Sequence, residues 1–288
     1  MKISEAFDAY KEDYMEMKRF SKRVIEYHDF VKGTLIEAVG DKDFADFDYE
    51  DVKKWANKMK VRELPNGKLL ERSPNTLRCD FQRLKGVMKW LCLSGYDCMN
   101  YQLIIVPKSE VVERCFLYEE EVTAMIDNAY SLRNKFVISL LYSSGIRLSE
   151  LISLNIGDIK NKAFTVIGKG NKMRICFIDE RTENLMGEYL ATREDSSPAL
   201  IVSGLYKERL SPSNVQLLIR NSAKRAGIKK KVTPHVLRHS FATNFIRNNG
   251  GVRPLSKLLG HSNLNTTMIY THIEDPELYE FYNRFHTI

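Results

Sequence analysis

The stretch TPHVLRHSFAT at residues 233–243 decides how the C-terminal half of this chain folds. Threonine followed by proline is typical of a helix start, because threonine caps free backbone N–H groups and proline suits the first helical position. The pattern predicts a helix from Pro234 to about Asn249, ended by a glycine pair. His235 and Arg238 lie one turn apart on that helix, so an imidazole and a guanidinium can both bind one phosphate.

The same helix allows a second interpretation, a metal ion shared by His235 and His239. Zinc proteases with this histidine spacing carry a glutamate directly after the first histidine as general base. Val236 occupies that position here, and Arg238 would bring a positive charge close to the ion. Phosphate binding is therefore the favoured interpretation, and no metal site is predicted.

Two cations upstream occur in distinctive local contexts. Gly145 is expected to end an apolar helix, and Arg147 follows at the junction with the next helix. Arg147 is either a solvated surface residue or a cleft residue that Glu150, one turn further on, orients. Residues 163–178 predict a β-hairpin with Lys169 in its glycine-containing turn. Lys169 is either an ordinary turn residue or a group that contacts a DNA backbone and donates a proton to a leaving oxygen.

Downstream, His261 follows the glycine of the stretch LLGHS, and Tyr270 lies nine residues beyond it. Tyr270 either packs its ring in the core or acts as a nucleophile. A phenol has a pKa near 10, so it attacks at neutral pH only beside cations and a proton acceptor. The second interpretation therefore requires the cations named above to surround it.

The order of these residues is more specific than any one of them. In that order the chain resembles the tyrosine recombinase (phage integrase) family, and its motifs are most similar to those of the Xer site-specific recombinases of bacteria and archaea. The stretches that carry the resemblance are SGIRLSEL (144–151), GKGNKMR (168–174), TPHVLRHSFAT (233–243) and LGHSNLNTT (259–267), which leads to Tyr270.

The resemblance implies a role for each candidate residue. Arg147, Arg238 and His261 would surround the scissile phosphate, Lys169 would be the general acid, His235 the base-side imidazole and Tyr270 the nucleophile. Tyr270 would hold the DNA 3′-phosphate covalently while the 5′-hydroxyl departs. Because the phosphotyrosine conserves the bond energy, no cofactor is expected. Lys172 is the alternative general acid, and Lys169 is preferred because it matches the central position of Gly-Lys-Gly.

The predicted fold class is mainly α with a small β-hairpin. It comprises a helical core-binding domain at residues 1–107, a linker at 108–114 and an α+β catalytic domain at 115–288, which together form a C-shaped clamp. Residues 1–100 contain four helical segments and no convincing strand pair. The fourth helix is expected to begin after Ser73 and to end near Ser94, before a glycine.

Composition is consistent with two globular domains that bind a polyanion. The chain has 288 residues, 43% of them hydrophobic, and a net charge of +7. Residues 1–110 carry +1 and the remainder +6, which favours nucleic acid as a partner of the C-terminal part. No apolar run approaches the roughly 20 residues of a membrane span. Five cysteines without a C-x-x-C pair disfavour a disulfide framework and a zinc ribbon, so a cytoplasmic protein is expected.

Basic residues outside the catalytic set are the predicted DNA contacts, most of them to phosphates. They are Arg78, Arg83, Lys85, Lys89, Lys172, Arg174, Lys224, Arg225, Lys229 and Lys230.

The predicted function is cleavage and rejoining of double-stranded DNA at a specific recombination site, as in Xer-type resolution of chromosome dimers. Four protomers would assemble on DNA through the amphipathic tail at residues 276–288, unless that tail packs on its own domain. An integrase or resolvase of a mobile element is the alternative within the enzyme class. A catalytically inactive DNA-binding regulator is the alternative outside it.

Overall fold

The computed structural model divides the chain into two units, Met1–Val112 and Glu113–Ile288, each with its own core. The boundary after Val112 falls inside the segment expected to be the linker. The residues described are 1–18, 20–63, 66–110, 115–168, 172–204 and 207–260.

Unit 1 is built on four α-helices. They are α1 (Ile3–Tyr10), which continues as a π-helical turn over Lys11–Glu16, α2 (Lys22–Val39), α3 (Tyr49–Met59) and α4 (Pro74–Leu93). Fully buried side chains from every helix form one core, with Phe7, Leu35, Trp55 and Met88 among the largest. The helical spacing predicted these four helices, and the structure confirms them.

The caps of α4 show how local the helix signals are. Ser73 accepts a hydrogen bond from the backbone N–H of Thr76, and proline occupies the first turn, as predicted. The helix ends at Leu93, and Gly95 then adopts a positive φ of 81°.

A short hairpin in unit 1 corrects the expectation that this region has no strand pair. Strand β1 (Val61–Glu63) pairs antiparallel with β2 (Leu69–Glu71) in the register Val61 with Glu71 and Glu63 with Leu69. All three residues of β2 are exposed, and each strand has only three residues. A half-buried strand shows itself by alternating apolar and polar residues, and this hairpin has too few residues to show such a pattern.

Unit 2 packs helices around a central helix and a second hairpin. Its elements are α5 (Glu119–Asp127), α6 (Leu132–Ser144), α7 (Leu148–Ser153), β3 (Ala163–Ile167), β4 (Met173–Phe177), α8 (Glu180–Ala191), α9 (Pro212–Arg225), α10 (Pro234–Arg247) and α11 (Val252–Leu259). Helix α6 is buried at every residue from Phe136 to Leu141, and Ser139 is the one polar side chain in that stretch. The mainly helical fold with small hairpins is thus confirmed.

Unit 2 contains one helix that was not predicted from the sequence. Helix α8 begins after Asp179, whose carboxylate accepts from the backbone N–H of Thr182, and the sequence prediction omitted this helix. The sequence also predicts a helix over residues 264–272, and that segment lies outside the described residues. Strands β3 and β4 pair antiparallel in the register Ala163 with Phe177 and Ile167 with Met173, as the hairpin prediction requires.

None of the helices in the described ranges is long and apolar enough to cross a bilayer. In the same part of the chain, no group of three or more histidine, cysteine, aspartate or glutamate side chains is arranged to hold a metal ion. The five cysteines are free thiols.

Candidate active site

The junction between α6 and α7 places Arg147. Helix α6 ends at Gly145, whose φ of 60° and ψ of 23° are in the left-handed region that favours glycine. A Cβ at this position would lie 2.5 Å from Cδ1 of Phe241, so the site also requires the absence of a side chain. The chain then turns, and Arg147 caps the start of α7 in an extended conformation. Its side chain stays 31% exposed.

Glu150 is the buried carboxylate of this junction. It accepts from the Arg147 backbone N–H at 2.7 Å and from Arg147 Nη1 at 2.9 Å. Arg174 donates to it from Nη1 at 2.8 Å and from Nη2 at 2.6 Å. Burial raises the pKa of this carboxyl, but the hydrogen bonds from Arg174 and Arg147 outweigh burial and lower its pKa to about 2. Glu150 is therefore ionised at neutral pH, and it contacts Arg147 as the sequence suggested.

Arg174 corrects a prediction, because it is not a surface residue available to DNA. Its side chain is only 5% exposed, its two terminal nitrogens bind Glu150, and its Nε donates to the Leu258 carbonyl at 2.9 Å. The reason is the pleat of β4, which buries Arg174 and Cys176 and exposes Met173, Ile175 and Phe177. The burial pattern of β4 is thus the inverse of the usual apolar-inside rule.

Arg238 lies on α10 and is also buried. It donates from Nη1 to the Gly145 carbonyl and from Nη2 to the Leu259 carbonyl, the latter at 2.8 Å. It therefore links the end of α6, two residues before Arg147, to the end of α11. His235 lies at the exposed start of α10, one turn before Arg238.

Gly168, directly after β3 at the turn end of the hairpin, adjoins the two arginines that hold Glu150. A Cβ built at Gly168 would lie 3.4 Å from Nη1 of Arg174 and 3.7 Å from Nη1 of Arg147. Gly260 ends α11 with a φ of 65°, and a Cβ there would lie 2.8 Å from Cδ of Arg174. The glycines that precede Lys169 and His261 in the sequence therefore both approach Arg174.

The structure brings together Arg147, Glu150, Arg174 and Arg238 through direct contacts or through neighbouring main-chain carbonyls. Lys169, His261, Tyr270 and the tail at 276–288 lie outside the described residues. The participation of Arg174 in this cluster was missed. Neither its burial nor its carbonyl partner had a sequence signal, because the alternation in β4 would place the apolar residues Met173, Ile175 and Phe177 inside and Arg174 outside.

The basic residues predicted to contact DNA from unit 2 differ in their surroundings. Lys172, Lys224 and Lys229 are exposed. Arg225 lies over the ring of Tyr130, 4.9 Å from the centroid to its Cζ atom. Lys230 pairs with Glu121 at 2.7 Å, so part of its charge is compensated.

The four DNA contacts predicted in unit 1 all lie on α4, and three of them have partners inside the unit. Arg78 donates to the Pro107 carbonyl and Lys85 to the Ile104 carbonyl, each at 2.8 Å. Arg83 is partly buried, with Nη1 at 3.9 Å from Sδ of Met15. Lys89 is exposed.

Comparison with known proteins identifies the family. The profile of the phage integrase family matches residues 115–277. The tyrosine recombinase XerA of Pyrococcus horikoshii is 41% identical over 169 residues, which are 57% of this chain and 59% of that protein. That match therefore spans less than two thirds of the relative's length. A tyrosine recombinase of Thermosipho africanus is 32% identical over 273 residues, 92% of this chain and 90% of that protein.

Solved structures agree with this assignment. The crystal structure of XerA recombinase aligns over 99% of both chains with a TM-score of 0.55 and 29% identity. The Tn1549 transposon integrase in complex with circular intermediate DNA aligns over 99% of this chain and 100% of that one, with a TM-score of 0.77 and 15% identity, which shows a shared fold. The chain belongs to the phage integrase family of tyrosine recombinases. Among its relatives, it is similar to those of the Xer type.

Proposed function

We propose that this protein cleaves and rejoins double-stranded DNA at a specific site through a 3′-phosphotyrosyl intermediate. The observation that carries the proposal is the bond from Arg238 to the Gly145 carbonyl, two residues before Arg147. Residues more than 90 positions apart thereby bring two guanidiniums to one junction. Paired guanidiniums are well suited to bind the non-bridging oxygens of a phosphate.

In the proposed reaction, the Tyr270 hydroxyl oxygen attacks phosphorus as the bond from phosphorus to the 5′-oxygen breaks. The phenolic proton passes to His235, and Lys169 gives a proton to the departing 5′-oxygen. Negative charge develops on the non-bridging oxygens, where Arg147, Arg238 and His261 stabilise it. A 5′-hydroxyl from a second strand reverses the step, because the phosphotyrosine conserves the bond energy.

Glu150 supports this chemistry by orienting Arg147. Its pKa of about 2 keeps it ionised, so it fixes one edge of the Arg147 guanidinium while leaving that side chain 31% exposed. All the positive charge that the reaction needs is supplied by side chains, so the proposal includes no metal or other cofactor.

We propose that residues 1–107, which make up most of unit 1, bind the core of the recombination site and that residues 108–114 join them to a catalytic domain at 115–288. The remaining predicted contacts that are exposed, such as Lys89 and Lys224, would bind phosphates. Four protomers would assemble on DNA through residues 276–288. The similarity to Xer recombinases supports resolution of chromosome dimers in the cytoplasm, with a mobile-element integrase as the rival role.

The deciding experiment uses a nicked suicide duplex that traps the covalent complex. Wild-type protein should become attached to DNA, and Tyr270→Phe should not. Tyr279→Phe is the matched control, because it removes a phenolic hydroxyl from the same C-terminal segment and should retain the adduct. An adduct in Tyr270→Phe would move the nucleophile elsewhere, and no adduct from any form would favour the regulator without catalysis.

A sulfur atom in place of the bridging 5′-oxygen separates Lys169 from Lys172. A thiol has a pKa near 8.5, so a thiolate leaves without being protonated. Lys169→Ala should cleave the ordinary substrate slowly and the sulfur substrate at close to the wild-type rate. Rescue of Lys172→Ala instead would assign the general acid to Lys172.

Residues 276–288 are tested by deletion. The shortened protein should still bind a single half-site but fail to form the four-protomer complex in native gels. Unchanged recombination after the deletion would refute the proposed role of this tail.

A further inference from the structure

Two buried arginines converge on the end of one helix. Arg174 donates from Nε to the Leu258 carbonyl at 2.9 Å, and Arg238 donates from Nη2 to the Leu259 carbonyl at 2.8 Å. The last carbonyls of a helix have no partner within it, and cations near them are favoured by the helix dipole. The end of α11 is therefore fixed by two guanidiniums from different elements, β4 and α10.

Each of these arginines also binds one side of the α6–α7 junction. Arg174 holds Glu150 through both carboxylate oxygens, at 2.8 and 2.6 Å. Arg238 holds the Gly145 carbonyl. The junction and the end of α11 are consequently connected twice. Arg174 is the connection that includes Glu150, which binds Arg147 directly.

We propose that Arg174 is a positioning residue for the strand-cleavage reaction: by binding Glu150 and the Leu258 carbonyl together, it sets the Arg147 guanidinium relative to the end of α11, after which His261 follows in the sequence. The inference rests on the proposed function above. Arginine is suited to the task because its planar guanidinium donates in three directions from one rigid group. A lysine ammonium provides the charge without this fixed geometry.

Arg174 differs in a measurable way from a residue that contacts DNA. Its side chain is 5% exposed, and Nε and both terminal nitrogens donate to atoms of the protein. Losing a phosphate contact weakens DNA binding and reduces the salt dependence of the affinity by about one in log–log slope. Losing a positioning residue slows cleavage at saturating DNA and leaves both the affinity and the salt slope unchanged.

The test is single-turnover cleavage of the nicked duplex by Arg174→Met and Arg174→Lys. Misplacing a reacting group by about 1 Å costs up to about a hundredfold in rate, so Arg174→Met should cleave about ten to a hundred times more slowly than wild type. Arg174→Lys should fall between the two, because it restores the charge beside Glu150. DNA affinity and its salt slope should be unchanged in both variants.

Arg193→Met is the matched control for the loss of a buried arginine. Arg193 has a similarly buried side chain in unit 2, pairs with the Asp195 carboxylate and donates to main-chain carbonyls. Among the described residues, it shares no partner with the Arg147 cluster. Melting temperatures of the variants measure the structural loss. Arg193→Met should melt earlier yet cleave at the wild-type rate. Equal slowing of cleavage by Arg193→Met and Arg174→Met would show that the Arg174 ion pair has only a structural role.

If Arg174→Met folds poorly in the otherwise wild-type protein, the comparison is made in the Glu150→Gln variant, which lacks the buried negative charge. In Glu150→Gln, Arg174→Met should add little further loss, because Arg174 acts on Arg147 through Glu150. Full additivity would overturn the proposal, as would a wild-type cleavage rate in Arg174→Met. An adduct that persists in Tyr270→Phe would instead overturn the proposed function, so the two failures are distinguishable.

Discussion

Replacing Glu150 by glutamine removes one charge from the centre of the arginine cluster and changes the side-chain shape very little. The carboxyl has an ordinary pKa of 4.5 and a pKa of about 2 in the folded protein, because the bonds from Arg174 and Arg147 outweigh its burial. A tenfold change in proton affinity is worth about 1.4 kcal/mol, so this difference stabilises the folded state by about 3 kcal/mol at neutral pH. Glu150→Gln should lose a comparable amount, since Arg174 is left buried without its counter-charge.

The sign of the pH dependence follows from the direction of the pKa change. The folded-state pKa of Glu150 is depressed, so its contribution is complete above the unfolded pKa near 4.5 and is lost as the pH falls toward 2. The stability gap between wild type and Glu150→Gln should be constant from pH 7 to pH 5.5 and should shrink between pH 4.5 and pH 2. Groups that titrate equally in both proteins cancel in the difference.

Urea unfolding followed by circular dichroism measures the gap, with tryptophan emission recorded in parallel. Both tryptophans, Trp55 and Trp90, belong to unit 1, so emission reports that unit and should be unaffected. Asp127→Asn is the control, because Asp127 pairs with Arg181 at an exposed site and should lose less than about 1 kcal/mol. A gap below about 1 kcal/mol at pH 7, or one unchanged at pH 3, would refute the stabilising role of the buried charge.

Three further outcomes are expected. Gly145→Ala should destabilise unit 2 by about 2–5 kcal/mol, which is the sum of left-handed backbone strain and the collision with Phe241. Gly227 also has a positive φ but open space around it, so Gly227→Ala should lose only about 1–2 kcal/mol. Equal losses in urea unfolding would contradict the collision. Burial and the neighbouring Cys92 thiol raise the pKa of Cys98 to about 12. At pH 8, peptide mapping should therefore show Cys98 alkylated more slowly than the exposed Cys79. Equal alkylation rates would contradict that environment. A chelator should leave covalent adduct formation unchanged, and a loss restored by added metal would revive a metal site on α10.

The helix boundaries were predictable because their signals are local. Ser73 caps α4 with its own hydroxyl, and Thr233 does the same for α10 by accepting from the backbone N–H of Val236. Gly145 ends α6 because a left-handed residue is needed there. Each signal involves residues within four positions of one another, so it is readable before any tertiary contact is known.

The contacts of the candidate site could not be predicted in the same way. Arg174 appeared to be a surface cation because charged residues are rarely buried, and only its pairing with Glu150 makes its burial favourable. The hairpin β1–β2 was missed for the opposite reason, since exposed strands as short as Leu69–Glu71 have no buried face and hence no periodicity.

Main-chain acceptors account for the remaining gap between sequence and site. Arg238 binds the carbonyls of Gly145 and Leu259, and Arg174 binds that of Leu258. Every residue has a carbonyl, so no residue type in the sequence marks the ones that receive a guanidinium. The family resemblance singled out Arg147 and Arg238 as candidates from their order along the chain, whereas the partners of the arginines became apparent only from the fold.

Under the proposed function, the charge of the cluster explains why a buried carboxylate is compatible with phosphate binding. Arg147, Arg174 and Arg238 bring three positive charges, and Glu150 neutralises one of them. Without Glu150, the neighbouring guanidiniums of Arg147 and Arg174 would repel, and Arg147 would lose the carboxylate that orients it. With Glu150 present, Arg147 is held in place before the proposed anion arrives, and the cluster keeps a net charge of two. The Arg147 guanidinium is thus oriented during folding, where the buried Glu150–Arg174 pair stabilises the domain. The free-energy cost of ordering that side chain is then not subtracted from the proposed DNA binding.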